Sequence, residues 1–174
     1  MKKVITIVLF ITSFLACNNK YEIEKEAEKC FFSSFGDKEI RVKSYINEYE
    51  SILIEENILK NSSKEAYYTL FKEVTLKNFQ KPIHNYSLFD SINKITAKDF
   101  VEVNLGCNEK IEGLKGYNNS VSFKIREYLK SVQSKKNNQK EIIEGLLEIY
   151  PSDYFELTLH KLQILLLIDR LSKN

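Results

Sequence analysis

Leu157-Thr158-Leu159-His160-Lys161-Leu162-Gln163-Ile164-Leu165-Leu166-Leu167-Ile168-Asp169-Arg170-Leu171 is the stretch that decides the fold. Leu157, Leu159, Leu162 and the run Ile164 to Ile168 cover nearly the whole circumference of a helix. A helix apolar on almost every side needs neighbours on every side, so it belongs at the centre of a core. Pro151 sets it off from the segment before, and Ser152 or Asp153 is its expected cap. The helices expected to clamp it span 37–59 and 140–150.

Working outward, the rest of the body reads as helices too. Glycine and proline are scarce, 5 and 2 in 174 residues, and both disfavour helix interiors. Asp37 can cap a helix carrying Ile40, Tyr45, Ile46, Tyr49, Ile52, Leu53 and Ile54 at helical spacing, stopping near Leu59. Ser62 with Glu65 three places on has the pattern of a capping box and opens a second helix with Tyr67, Leu70, Phe71 and Val74; Pro82 ends that region. Ser87 with Asp90 repeats the cap logic for a short helix through Ile95. Ile142, Ile143, Leu146, Leu147 and Ile149 form a helix that Pro151 breaks.

One region is ambiguous. Thr96 with Asp99 suggests a helix start, yet Val101-Glu102-Val103-Asn104-Leu105 alternates like a half-buried strand. Ser120 to Ile125 alternates as well, and the two could pair across a loop holding Gly113 and Gly116. Val121, Ile125, Tyr128, Leu129 and Val132 favour a helix for the second. The expected fold is mainly α, a compact orthogonal multi-helix bundle, with one short β-hairpin near 100–125 as the open alternative. No internal repeat or low-complexity segment is present.

The first twenty residues carry a different signal. Met1-Lys2-Lys3 is a positive start, and Val4 to Leu15 is an apolar run broken only by Thr6, Thr12 and Ser13. Twelve residues are too few to span a bilayer, which needs about 20, but they suit the apolar region of an export signal. The run ends in Phe14-Leu15-Ala16-Cys17, a small residue directly before a cysteine. This resembles the lipobox of bacterial lipoproteins, although the leucine that commonly stands three places before the cysteine is Phe14 here, with Leu15 one place later. The resemblance covers residues 1–18 and implies cleavage before Cys17 and acylation, palmitate included, of that residue. It implies a protein exported and held on a membrane by lipid. Asn18 is not the aspartate that retains such proteins at the inner membrane in some diderm bacteria, so the outer membrane is favoured. The remainder resembles small helical lipoproteins of diderm bacteria through no specific motif, which adds no function. The resulting division is 1–16 signal peptide, 17–36 lipidated tether, and 37–174 a single helical domain. The tether expectation rests on the alternation of Glu22, Glu24, Glu26 and Glu28 with lysines.

Charge and cysteines bound the partners. The chain has 26 basic and 24 acidic residues, and Lys2 and Lys3 would leave with the signal, so the remaining body is near neutral. Interleaved lysines and glutamates give no electrostatic case for nucleic acid. Apart from Cys17, the cysteines are Cys30 and Cys107. An exported pair can form a disulfide or remain as two buried thiols, and sequence leaves both open.

Little points to catalysis. His84 and His160 each stand alone, and no H-x-x-x-H, C-x-x-C or G-x-S-x-G occurs, so the sequence calls for no metal, no cofactor and no catalytic residue. His160, amid core positions, reads as a hydrogen-bonded structural histidine, and His84 as a solvated loop residue. Tyrosine and phenylalanine are plentiful, 10 and 11. Tyr150, Tyr154 and Phe155 crowd a helix–helix corner and are the candidate patch for a partner or ligand, against the plainer role of core filling. The expected function is a lipid-anchored, non-enzymatic module binding an envelope protein. The alternatives are a lipoprotein binding a small ligand or glycan in an aromatic pocket, and an enzyme of unrecognised type.

Overall fold

A computed structural model describes residues 21–75, 85–96, 100–133 and 139–172. The signal at 1–16, Cys17, Pro82, His84 and Asp99 lie outside the described residues. Eight α-helices are present among them: α1 (Glu22–Ser33), α2 (Glu39–Glu55), α3 (Lys64–Thr75), α4 (Leu88–Ile95), α5 (Phe100–Glu112), α6 (Val121–Gln133), α7 (Gln139–Ile149) and α8 (Thr158–Ser172). Short 3-10 turns occupy Gly36–Lys38, Tyr117–Asn119 and Ser152–Glu156.

The bundle is organised around α8. It buries Leu159, Leu162, Ile164, Leu165 and Ile168 and packs against α1, α2, α3 and α4. The expected clamp by 37–59 is therefore present, since α2 contacts α8; α7, expected as the other jaw, packs chiefly on α6. That pairing uses Gly145, whose missing side chain leaves room for the Tyr128 ring. The Tyr128 hydroxyl donates to the carbonyls of Glu141 and Ile142 at 3.1 and 3.2 Å, so the glycine inside α7 serves a close approach.

No strand occurs among the described residues, so the hairpin alternative near 100–125 is corrected to two helices, α5 and α6. Alternation in 101–105 coexists with a longer helical spacing. Phe100 and Val103 pack against the core, while Cys107 and Ile111 are buried within it. Four contacts at three- and four-residue spacing outweigh a five-residue alternation, and Leu105 is left 56% exposed.

Residues 21–36 are not a tether. Ile23, Ala27, Phe31, Phe32 and Phe35 are buried, with Phe31 in edge contact with Phe32, Phe35 and Phe100 at 4.8–5.3 Å. The apolar positions 23, 27 and 31 are spaced by four, and the glutamates on the same stripe turn inward with them. The body therefore begins by Tyr21 rather than at 37.

Several caps fall one step from where expected. Asp37 sits in the 3-10 turn rather than capping α2, whose N-cap is Lys38, and Ile40 is 83% exposed instead of joining the core stripe. Ser63, not Ser62, caps α3, accepting from the Ala66 N–H at 3.2 Å. Ser87 caps α4 as expected, accepting from Asp90 N–H. Neither Ser152 nor Asp153 caps α8; both lie in the preceding 3-10 turn.

Cys30 on α1 and Cys107 on α5 form a disulfide, with Cα atoms 5.7 Å apart and a sequence separation of 77. A cross-link of that loop length restricts the unfolded chain by about 4 kcal/mol. Replacing both cysteines by alanine is expected to lower unfolding free energy in urea by about 2–5 kcal/mol. A loss below about 0.5 kcal/mol, within the range of ordinary surface substitutions, would contradict a bond that staples the body.

Candidate functional site: a cleft between α1, α5, α6 and α8

A cleft of about 410 Å³ opens where α5 and α6 diverge, with α1 and α8 behind it. Its walls are fixed by carboxylates reaching from one helix to the N-terminus of another. Glu24, 1% exposed, accepts from the Ser122 backbone N–H at 3.0 Å and so caps α6. Ser120 Oγ accepts from Phe123 N–H at 3.0 Å on the same helix end. One turn along α1, Glu28 accepts from the Leu159 N–H at 2.8 Å and caps α8. The first turn of a helix leaves its N–H groups unsatisfied and carries partial positive charge, so a carboxylate there is favourable twice over. Asp169 does the same for α4, accepting from Phe89 N–H at 2.9 Å and from Ser87 Oγ at 3.1 Å.

Tyr154 and His160 form the inner wall, both buried, their rings stacked at 3.5 Å between centroids and 18° apart. The Tyr154 hydroxyl pairs with Ser122 Oγ at 3.3 Å. His160 Nδ1 meets the amide oxygen of Gln163 at 3.1 Å, which places the ring proton on Nδ1. Nε2 is then an acceptor, and it is buried with no partner. Burial lowers the His160 pKa from the usual 6.5 to about 4, only partly opposed by the Gln163 bond, so the ring is neutral at pH 7. Burial pushes the Tyr150 phenol up to about 12 and raises that of Tyr154 as well.

The outer wall is mixed. Ile111, Ile125 and Leu159 supply apolar surface, and Asn104 and Asn108 supply amides. Arg126 is paired with Glu112 and donates to Tyr117 Oη at 3.4 Å. Leu105 and Leu129 form the rim, 56% and 37% exposed.

The aromatic corner at 150–155 is mainly core. Phe155 is fully buried among Tyr67, Phe71 and Tyr150, with centroids 5.9–6.4 Å away. Lys64 at the start of α3 holds this turn through Asp153 and Glu156, each at 2.7 Å. Of the three candidate patch residues, Phe155 is core filling, whereas Tyr150 and Tyr154 line the cleft. His160 is a buried, hydrogen-bonded histidine, and it also faces the cleft. Its one ring hydrogen bond is to Gln163, so no base-to-nucleophile pair involves it. Cys107 is committed to the disulfide. Among the described residues no group of three or more His, Cys, Asp or Glu could hold a metal. No helix among them is long and apolar enough to cross a membrane.

Set beside known proteins, the chain matches no family model, no curated protein and no solved structure.

Two outcomes are expected. Glu24→Ala removes a buried cap and should cost about 1–2 kcal/mol in chemical denaturation; a change under about 0.3 kcal/mol would show the cap to be incidental. His160 has a folded pKa below its unfolded one, so between pH 6.5 and about 4 the unfolded chain binds more protons. Stability should therefore be full above pH 6.5 and fall as the pH drops to 4. Because the ring is deeply buried, its share reaches at most about 3 kcal/mol. His160→Gln should flatten that part of the profile, and an unchanged slope would assign the acid sensitivity elsewhere.

Proposed function

We propose that the protein is exported, anchored to a bacterial membrane through lipid on Cys17, and works there by binding a small uncharged ligand in the cleft. The cleft carries this reading. It combines apolar walls with a few convergent polar groups, as small-molecule sites do. Its charges are neutralised within the protein: Arg126 by Glu112, and His160 by loss of its proton. Tyr117 and Tyr150 with the amides of Asn104 and Asn108 give a lining that suits a hydroxylated ring, a glycan unit included.

Export is supported by the Cys30–Cys107 disulfide, a bond that persists in oxidising compartments. Together with the resemblance of residues 1–18 to a lipoprotein signal, it argues for the cell envelope, with the outer membrane favoured in a diderm host. Binding of an envelope protein has less to rest on. Its candidates are the exposed apolar side chains Ile40, Phe89 and Leu167 on α2, α4 and α8 respectively.

Metabolic labelling with a clickable fatty acid tests the anchor. Wild type should be labelled and sediment with membranes, and Cys17→Ser should lose both; retention of label in the variant would overturn the lipoprotein reading. For the cleft, a thermal-shift panel of neutral sugars and hydroxylated aromatics should yield a ligand that stabilises wild type. At a hundredfold excess over Kd the gain is about 2.7 kcal/mol, and Asn108→Trp, which fills the cleft, should abolish it. Equal shifts in both would place the binding elsewhere.

A further inference from the structure

Helix α5 stands between two concavities. Asn104, Asn108 and Ile111 line the cleft, while Gly106 and Cys107 line a groove of about 480 Å³ on the side toward α1. Both halves of the disulfide border that groove, Cys107 from α5 and Cys30 from α1. Cys30 is the more open of the two: it is half-buried, and Cys107 is 5% exposed. Lys29 and Lys110 line the groove together with Glu26 and Glu102, so the formal charges around the sulfurs balance. Gly106 sits mid-helix, where glycine is among the poorest residues. No packing requires it, since a side chain at 106 would meet nothing within 4 Å. Its effect is to leave the groove open beside Cys107.

The fastening of α5 runs through this bond. α5 packs chiefly on α1, with the Phe100 ring against Phe31 and Phe35 and the Cys107 sulfur joined to Cys30. Its own sequence supports a helix poorly, because Val101, Val103, Asn104, Gly106 and Asn108 are all weak helix formers. Its 13 residues are near the length at which even a good isolated helix is marginal. α1 depends on the bond less. Its Glu24 and Glu28 caps and its buried Phe31 and Phe32 remain without it.

Building on the reading of the cleft as a ligand site, we propose that the Cys30–Cys107 bond is a redox control on that cleft, opened by a dithiol entering the groove between α1 and α5. One thiolate of the dithiol attacks Sγ of Cys30; the disulfide breaks and Cys107 leaves as a thiolate. The second thiol of the reagent then attacks its own sulfur in the mixed disulfide and releases Cys30. The dithiol ends as a disulfide, and its two electrons and two protons end on Cys30 and Cys107. With the bond open, α5 loosens from α1 and the cleft loses a wall. The oxidised protein is the binding form.

The full protein in native buffer is treated with dithiothreitol and then with iodoacetamide, and peptide mapping reads Cys30 and Cys107 apart from Cys17. Both should be alkylated almost completely. Amides from Val103 to Ile111 should then exchange with solvent at least about tenfold faster than before, while those in the middle of α8 stay unchanged. The double variant Cys30→Ser, Cys107→Ser should show the same fast α5 exchange with no reductant. Gly106→Leu, which fills the groove, should slow reduction at least about tenfold, because exchange rates follow access to the sulfur. A bond that resists dithiothreitol until urea unfolds the body, or that opens as fast in Gly106→Leu, would overturn the groove as the route. Unchanged α5 exchange after reduction, or α8 exchange rising with it, would overturn the control and leave a plain staple. None of these readouts uses a ligand, so their failure is distinct from failure of the ligand panel.

Discussion

Two glutamates one helical turn apart hold this structure in register. Glu24 and Glu28 on α1 reach the free N–H groups at the starts of α6 and α8, and the disulfide at Cys30 pins the same helix to α5. Each cap is worth about 1–2 kcal/mol, and the cross-link about 4 kcal/mol. Burial of Phe31 and Phe32 adds a further 1.5–3 kcal/mol apiece as an upper estimate. α1 is thus fastened by covalent, polar and apolar means together. α1 is consequently the element against which α5, α6 and α8 are positioned, and those are the walls of the cleft.

This has a functional consequence. The cleft keeps its shape because the groups that define its inner wall are bonded to α1 or to each other: Ser122 through its amide to Glu24, Tyr154 to Ser122, His160 stacked on Tyr154. A preformed site of this kind loses little entropy when a ligand arrives. His160 is neutral at pH 7, and Arg126 is paired with Glu112. The bonds made by α1 also couple the start of the described body to the wall of the cleft.

Much of the fold was legible in the sequence, and the failures have physical causes. The mainly α class follows from spacing, with the hairpin near 100–125 left open, and α4 with its Ser87 cap falls where the pattern puts it. The central place of α8 followed from its near-uniform apolarity. The tether expectation fails because Glu22, Glu24, Glu26 and Glu28 resemble a solvated charge run only when the chain is read linearly. On a helix they separate, and positions 24 and 28 share a face with Ala27 and Phe31. That stripe was visible in the sequence, but a glutamate satisfied by a distant helix N-terminus is not, because its partner lies 98 or 131 residues away. The strand-like alternation at 101–105 misled for the same reason, since short windows do not reveal the i, i+4, i+8 set of Val103, Cys107 and Ile111. Of the cleft, Tyr150, Tyr154 and His160 were singled out from sequence. Ser122 and Gln163 were not, because neither stands out until the backbone brings it to the histidine or tyrosine it bonds.

Hydrogen exchange of the α1 amides tests most directly whether this helix is part of the body. If the carboxylate caps and the disulfide dock it as described, amides from Ala27 to Phe32 exchange as slowly as those in the middle of α8, opening only with global unfolding. Exchange of that segment at rates typical of an unstructured chain, while α8 stays protected, would contradict the account and return the segment to a mere leash.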